Sequence, residues 1–224
     1  MLNRILRKFK SISLRLGMKT FDQFKNIKPF DRLDSNIIEQ NRKMLEPYYK
    51  EYVRDISRAD MAASIELAAF MFSICKLNNY TKLLDMGSGL SSFVFRLYAK
   101  ETPGVKVYSV DDDAAWLEKT RAFLRLHQLD TQNLFTLDQF LTSKESGFDC
   151  ILHDLNFVEV RINYVDHLIK LIDKDGLLVL DDVHKPDYMY AALKVLSKTK
   201  AKVYTLKPVT IDGYGRFAMG VTKD

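Results

Sequence analysis

Five aspartates and one histidine stand at the ends of apolar runs along this 224-residue chain. Asp85 follows Leu83 and Leu84, Asp111 closes the run 105–110, and Asp154 follows the run 148–152 and His153. Asp181 and Asp182 follow the run 177–180, with His184 two residues on. Short apolar runs alternating with helical patterns read as strands of a parallel sheet. A third strand is expected over 133–137, ending at Asp138, and a last one over 214–221; helices are expected over 61–77, with Asp60 as a possible cap, and over 158–172. Ligands of such a sheet bind beyond the carboxyl ends of its strands, so these side chains are expected on one rim. Carboxylates gathered there repel one another unless a cation neutralises them. Mg²⁺ takes hard oxygen ligands and keeps some of its waters, so Asp154, Asp181 and Asp182 would suffice to hold it. The other reading is that Asp181 and Asp182 only cap the following loop. An imidazole titrates near neutral pH, so His184 is the candidate general base, unless it is an ordinary loop residue. His153 is expected to point into the sheet packing.

The stretch TKLLDMGSGLSS, from Thr81 to Ser92, reads as a strand, a tight turn and a helix start. Gly87 and Gly89, on either side of Ser88, let the backbone take positive φ and let a ligand approach without meeting a Cβ. A dinucleotide turn wants a third glycine where this chain has Ser92, which argues against a nicotinamide or flavin site. Asp111 lies where a βαβ unit places a carboxylate beside a ribose, whose two hydroxyls it can accept. Asp112 or Asp113 serves the start of the next helix, favoured there by the macrodipole.

The run Leu84-Asp85-Met86-Gly87-Ser88-Gly89 resembles the L-D-x-G-x-G motif of class I S-adenosylmethionine-dependent methyltransferases. The stretch VYSVDDDAAWLEKTRAFL, which includes Trp116, is similar to their second-strand region. The resemblance covers roughly residues 60–222. It implies a Rossmann-like, doubly wound α/β fold with a seven-stranded, mostly parallel sheet, an antiparallel last strand and helices on both faces. It implies S-adenosylmethionine as cofactor, held by Asp85, Gly87, Ser88, Gly89, Asp111 and Asp112. Asp138, with Gln139, would lie near the adenine, the alternative being a surface turn. The acids after strands four and five resemble those of small cation-dependent catechol-like or sugar O-methyltransferases, so Asp154, Asp181 and Asp182 would hold Mg²⁺ and present an acceptor hydroxyl. In that group a lysine acts as base three residues after the first metal aspartate; here Phe157 stands there, which leaves His184, beside Asp154, as the catalytic candidates. Arg161 matches an arginine near the start of the same helix, and either anchors an anionic substrate or pairs with Asp154 or Glu159.

The charge distribution narrows the partners. The net charge is +5, yet residues 1–58 hold fourteen Lys/Arg against seven Asp/Glu. That segment is therefore +7 and the remainder −2, which argues against a nucleic-acid groove across the main domain. Nor do His153, Asp154, Leu155 and Asn156 form the N-P-P-Y-like motif of nucleic-acid methyltransferases. Cys75 and Cys150 sit in apolar runs and read as buried thiols of a reducing compartment. The longest apolar stretch, 65–75, is too short to span a bilayer, and a cytoplasmic location is expected.

The expected domain spans residues 59–224, preceded by a basic, partly helical arm or lid over residues 1–58. Leu2, Ile5, Leu6 and Phe9 fall at helical spacing between basic residues, with Gly17 as the stop. Such a helix, over residues 1–17, suits an anionic membrane surface, a partner, a homodimer contact or its own domain. Residues 18–58 read as irregular to weakly helical, broken at Pro29 and Pro47, and form either a lid or packing at the sheet edge. The expected activity is O-methylation of a small hydroxylated acceptor. The alternative is a non-catalytic scaffold docking through its basic arm.

Overall fold

The computed structural model describes residues 19–223. The basic amphipathic segment over residues 1–17 lies outside the described residues. The described chain forms a seven-stranded sheet in the order β3-β2-β1-β4-β5-β7-β6. The strands are β1 (Lys82–Met86), β2 (Lys106–Asp111), β3 (Leu134–Thr136), β4 (Phe148–His153), β5 (Ile172–Leu180), β6 (Lys202–Thr205) and β7 (Met219–Thr222). β1 to β5 pair in parallel, and β7 runs antiparallel between β5 and β6. The central strands are apolar throughout because helices cover both faces. Two apolar clusters result, one on each side: Leu83, Cys150, Leu152, Leu177 and Val179 face the first, and Leu84, Met86, Ile151, Leu178 and Leu180 face the second. Cys75 and Cys150 are buried, free thiols. Among the described residues, no helix is long and apolar enough to cross a membrane.

Several local expectations are corrected. Residues 35–55 form one 21-residue helix that passes straight through Pro47. Proline removes one backbone donor, but Pro47 lies on the exposed face, where water can take the orphaned carbonyl. Ile38, Leu45 and Tyr52, seven residues apart, form the buried stripe of that helix. Asn41 Nδ2 donates to Ser73 Oγ at 2.7 Å, tying it to the helix Ile65–Asn78. The cap of that second helix is Ser64, whose hydroxyl accepts from Leu67 N; Asp60, expected in this role, pairs with Arg58 instead.

The helix expected over 158–172 is broken into an α-turn over Val158–Arg161, a 3₁₀ turn over Ile162–Tyr164 and an α-segment over Val165–Leu171. The break falls where His153 Nε2, 2.9 Å from the Arg161 carbonyl, competes for that acceptor. β3 ends at Thr136, and a helix, Leu137–Thr142, starts at once. β5 begins at Ile172, ahead of the expected Leu177, with a register irregularity before Cys150 pairs with Leu177. β7 begins at Met219, not Tyr214, and the link from β6 contains a short helix, Lys207–Thr210.

Residues 19–58 share the core of the rest of the chain. Lys19 bridges to Tyr204 at the β6 edge, and Phe24, Phe30 and Tyr204 pack as a triad of tilted and edge-on rings with centroids 4.7 to 5.2 Å apart. All three rings are at most 1% exposed. Truncating a buried phenylalanine leaves a cavity that the surroundings only partly fill. Phe30→Ala is therefore expected to cost about 3–5 kcal/mol. Urea unfolding should show the lower midpoint in a single transition, whereas an unchanged midpoint would mean that this segment is not part of the cooperative unit.

Candidate active site

The turn after β1 is the centre of the site. Gly87 and Gly89 have φ of 119° and 152°, values open to glycine but strained for other residues. A Cβ on Gly87 would sit 2.5 Å from the carbonyl carbon and oxygen of Asp154, and one on Gly89 would sit 2.7 Å from the Tyr52 hydroxyl. Glycine at each position is therefore required by close approach as well as by φ. The turn is held from three directions. Gly87 N donates to the Val110 carbonyl at 2.9 Å. Ser88 N and Oγ both donate to Asp111 Oδ2 at 2.8 Å. The indole of Trp116 donates to the Ser88 carbonyl at 2.8 Å.

Asp85 and Asp111 flank this turn. Asp85 is fully buried; Ser92 Oγ donates to its Oδ2 at 2.5 Å, and its Oδ1 is buried with no hydrogen-bond partner in the protein. Burial pushes its carboxyl up to about 7, restrained by the Ser92 and Ser91 hydroxyls and by Arg96, with Asp154 adding to the rise. Arg96, itself 1% exposed, donates from Nη1 to Ser109 Oγ at 2.7 Å and from Nη2 to the Gln132 carbonyl at 2.9 Å. It is therefore a buried positive charge near enough to restrain the acid. Asp111 also accepts from Asp113 N at 3.1 Å. Burial raises its carboxyl too, against the Asp113 and Ser88 hydrogen bonds.

Asp112 is exposed and accepts a short hydrogen bond from Asn156 Nδ2. β1 lies between β2 and β4, so this contact spans the turn. Asp113, not Asp112, caps the next helix, accepting from Ala115 N and Trp116 N. Asp138 is exposed in the first turn of Leu137–Thr142, because β3 stops earlier than expected. Gln139 is engaged in a reciprocal cap with Thr136, its Oε1 accepting from Thr136 N at 2.9 Å.

The second half of the rim departs most from expectation. Asp154, Asp181 and Asp182 do not form an open ligand set: among the described residues no group of three or more His, Cys, Asp or Glu side chains is arranged to hold a metal. The guanidinium of Arg161 lies between Asp154 and Asp182, Nη2 at 2.6 Å from Asp154 Oδ1 and Nη1 at 3.3 Å from Asp182 Oδ2. Lys185 Nζ donates to Asp182 Oδ2 at 2.8 Å. Burial alone would raise Asp182, but Lys185 and Arg161 hold its carboxyl below the usual value. Burial raises Asp181, and Asp154 and Asp182 raise it further.

His184 lies on the same side. Its Nδ1 is buried without a hydrogen-bond partner, 3.4 Å from Asp182 Oδ1. Burial lowers its pKa, only partly offset by Asp182, so it is neutral near pH 7. His153 is fully buried, with its pKa lowered by that burial to about 4. Phe157 is 70% exposed. Arg216 staples the rim from the β7 side, with Nε 2.6 Å from Asp212 Oδ2 and its remaining donors on the carbonyls of Ala59, Asp60 and Ala62. A surface cavity of about 380 Å³ lies at the opposite edge of the sheet, lined by Ile169, Lys170, Thr199, Lys200, Ala201 and Lys223, and holds none of these groups.

Comparison with solved structures decides the fold. No protein-family model and no curated protein matches the chain by sequence. Its structure is similar to an O-methyltransferase from Bacillus cereus in complex with SAH (TM-score 0.58, 14% identity, 94% of this chain and 100% of that one). It is similar as well to a SAH-bound Podospora anserina methyltransferase (TM-score 0.60, 14% identity, 88% and 98%). The O-methyltransferase TomG from Streptomyces achromogenes, in complex with SAM, is a third (TM-score 0.57, 14% identity, 90% and 94%). The fold is that of the class I methyltransferases. Within it, the β1 turn occupies the centre of the rim, with the β2 acid on one side and the β4 and β5 acids on the other.

Several residues that shape this methyltransferase-fold rim escaped the sequence reading. Ser92 was visible only as a missing glycine, yet it is the hydroxyl that holds Asp85. Arg96 was a lone charge on an apolar helix face, and Tyr52 one of three grouped tyrosines. Asp85 itself yields a test. An acid whose folded value, about 7, exceeds its unfolded value, 3.8, costs no stability below pH 4. It costs progressively more as the pH climbs from 4 to 7, because the unfolded chain can ionise the group while the folded state holds it protonated, and the cost levels off above 7. Asp85→Asn is expected to raise the melting temperature at pH 8, by a gain that shrinks toward pH 4. A change of equal size at both pH values would show that burial of the ionised form is not what Asp85 costs.

Proposed function

We propose that this protein is an S-adenosylmethionine-dependent methyltransferase that methylates a hydroxyl of a small acceptor. The observation that carries the reading is the glycine turn between two buried acids, one of which keeps an oxygen unpartnered at Asp85 Oδ1. A buried acceptor atom without a donor is costly in a finished structure, and a cationic, amine-bearing donor answers it. The residues fit such a cofactor. Gly87, Ser88 and Gly89 supply backbone that a ligand can approach, Asp85 would meet its positive charge, and Asp111 would accept from its ribose hydroxyls. When bound, the donor would supply a methyl group on a sulfonium for transfer to the acceptor oxygen.

The protein's own part is to position, deprotonate and exclude water. His184, whose buried Nδ1 faces Asp182 Oδ1 at 3.4 Å, is the residue we assign to take the acceptor's proton, at its other ring nitrogen, Nε2. Its neighbour Asp182 stabilises the imidazolium that results. Met61, Phe157 and Tyr214 are each more than 60% exposed. Met61 sits in the loop that Arg216 clamps, Tyr214 lies under the Arg216 guanidinium at 5.3 Å, and Phe157 follows the β4 end. These apolar surfaces beside the rim suit an acceptor with a hydrophobic body. Arg161, already committed to two acids and two carbonyls, does not serve as the anchor of an anionic substrate.

Calorimetry with S-adenosylmethionine, followed by a labelled-methyl screen of phenolic, sugar and lipid-like acceptors, tests the proposal; absence of cofactor heat overturns it. Asp111→Ala removes an acceptor of charge-assisted hydrogen bonds and should weaken S-adenosylhomocysteine binding about 10- to 100-fold. His184→Ala should leave that affinity unchanged while slowing methyl transfer about 10²- to 10⁴-fold. Equal loss in both measurements would place His184 in cofactor binding and not in proton transfer.

A further inference from the structure

The geometry points to Arg161 as the resident cation of the β4–β5 rim: with Lys185, it fills the place between Asp154 and Asp182 where a carboxylate-ligated divalent ion would sit, so the acceptor is bound and turned over without a metal. The inference rests on the methyltransferase reading for the reaction, but not for the charge arrangement itself.

Backbone carbonyls hold the guanidinium as well. Arg161 Nε lies 3.1 Å from both the Leu155 and Asn156 carbonyls, and Nη2 donates to the Asn156 carbonyl at 2.8 Å. The guanidinium is therefore fixed on both sides, by backbone carbonyls and by two carboxylates, and its side chain is 7% exposed. A planar fork held in this way does not swing aside at small cost. The backbone around it is shaped to suit. Asn156 and Asp182 both take positive φ, 48° and 61°, uncommon values for residues other than glycine. These conformations are where the Asn156 carbonyl and the Asp182 carboxylate come to meet the guanidinium. An Mg²⁺ ion here would need near-octahedral oxygen ligation and would have to displace a cation already in hydrogen-bond contact with two of its three expected ligands. The third, Asp181, cannot complete a site with the other two occupied. His153, whose Nε2 lies 2.9 Å from the Arg161 carbonyl, fixes the same residue from its main chain.

The test uses the full-length protein and manganese as probe. Electron paramagnetic resonance titration of the EDTA-treated wild type should show no stoichiometric Mn²⁺ binding below about 1 mM, a weak-site range for oxygen ligands. Its melting temperature should be the same in EDTA and in millimolar Mg²⁺. Arg161→Ser uncovers the acids: its melting temperature should fall on the order of 10 °C in EDTA, as expected for breaking a buried pair. Mn²⁺ should then bind and restore part of the loss. Arg161→Lys keeps a positive charge and should stay insensitive to manganese. Should Arg161→Ser not fold, Asp154→Asn combined with Arg161→Gln removes the pair without leaving a bare charge, and should bind no manganese. Stoichiometric Mn²⁺ binding by the wild type, lost in Asp154→Asn or Asp182→Asn, overturns the inference. S-adenosylhomocysteine calorimetry in EDTA separates the two proposals. Donor heat without manganese binding supports both, and absence of both signals overturns the methyltransferase reading alone.

Discussion

Negative charge on one rim is the constraint that the rest of this structure answers. A parallel sheet directs the ends of its strands to one edge, and this chain places an aspartate within one residue of the end of four of them. Acids so close would repel and, once buried, would protonate unless given partners. The chain supplies different partners to the two halves. Asp85 and Asp111 are met mainly by hydroxyls and backbone N–H groups, from Ser92, Ser88 and Asp113, with Arg96 acting on Asp85 from a distance and bonded to Ser109 and Gln132 instead. Asp154 and Asp182 are met by full positive charges, Arg161 and Lys185. Hydrogen-bonding partners leave an acid able to attract a further cation; a salt-bridged acid has no such need. The division marks where a cationic ligand can be received and where it cannot.

The two halves are mechanically joined. The backbone of Asp154 lies so close to Gly87 that no side chain fits between them, and Asp154 N donates to the Met86 carbonyl at 2.7 Å, extending the β1–β4 ladder past the strand ends. The bond from Asn156 to Asp112 then connects the β4 exit to the β2 exit over the turn. A ligand that displaced the turn would therefore move the residue that grips Arg161. Packed interiors transmit such shifts because they have no free volume to absorb them.

The central part of this design was legible in the chain. Short apolar runs ending in aspartate identified the strands and their functional edge, since strand ends and buried strands leave a one-dimensional signature. The glycine pair with Asp85 and Asp111 was legible because close backbone approach restricts residue type at particular positions. What the sequence could not show was which acid receives which partner. Arg161 stood among three readings, pairing with Asp154 being one, and only the fold brings Asp182, 21 residues away, to its other side. Asp138 was misplaced because the strand read as reaching residue 137 stops at Thr136 and a helix starts at once, which turns a strand-end residue into a surface one. Pro47 was read as a break because proline usually is one; the helix tolerates it because the lost donor faces solvent. The net charge counted over residues 1–58 gave no hint that residues 19–58 pack into the core.

That packing bears directly on the rim. The long helix Ser35–Asp55 delivers Tyr52, 1% exposed, to the side of the glycine turn, where its oxygen accepts from Leu90 N. Burial raises the Tyr52 phenol, and the nearby Asp85 and Asp111 raise it further, so it stays a neutral hydroxyl at any ordinary pH. A neutral donor is what a cluster of carboxylates accommodates without an added charge. Behind it, Tyr52 packs edge-on against Phe123, and Tyr48 packs against Phe93 and His127. The turn is thus braced from its N-terminal side by an aromatic layer that belongs to no strand of the sheet. A segment that first reads as an appendage is one wall of the site, because the helix start at Leu90 leaves backbone donors that the sheet cannot satisfy and that Tyr52 can.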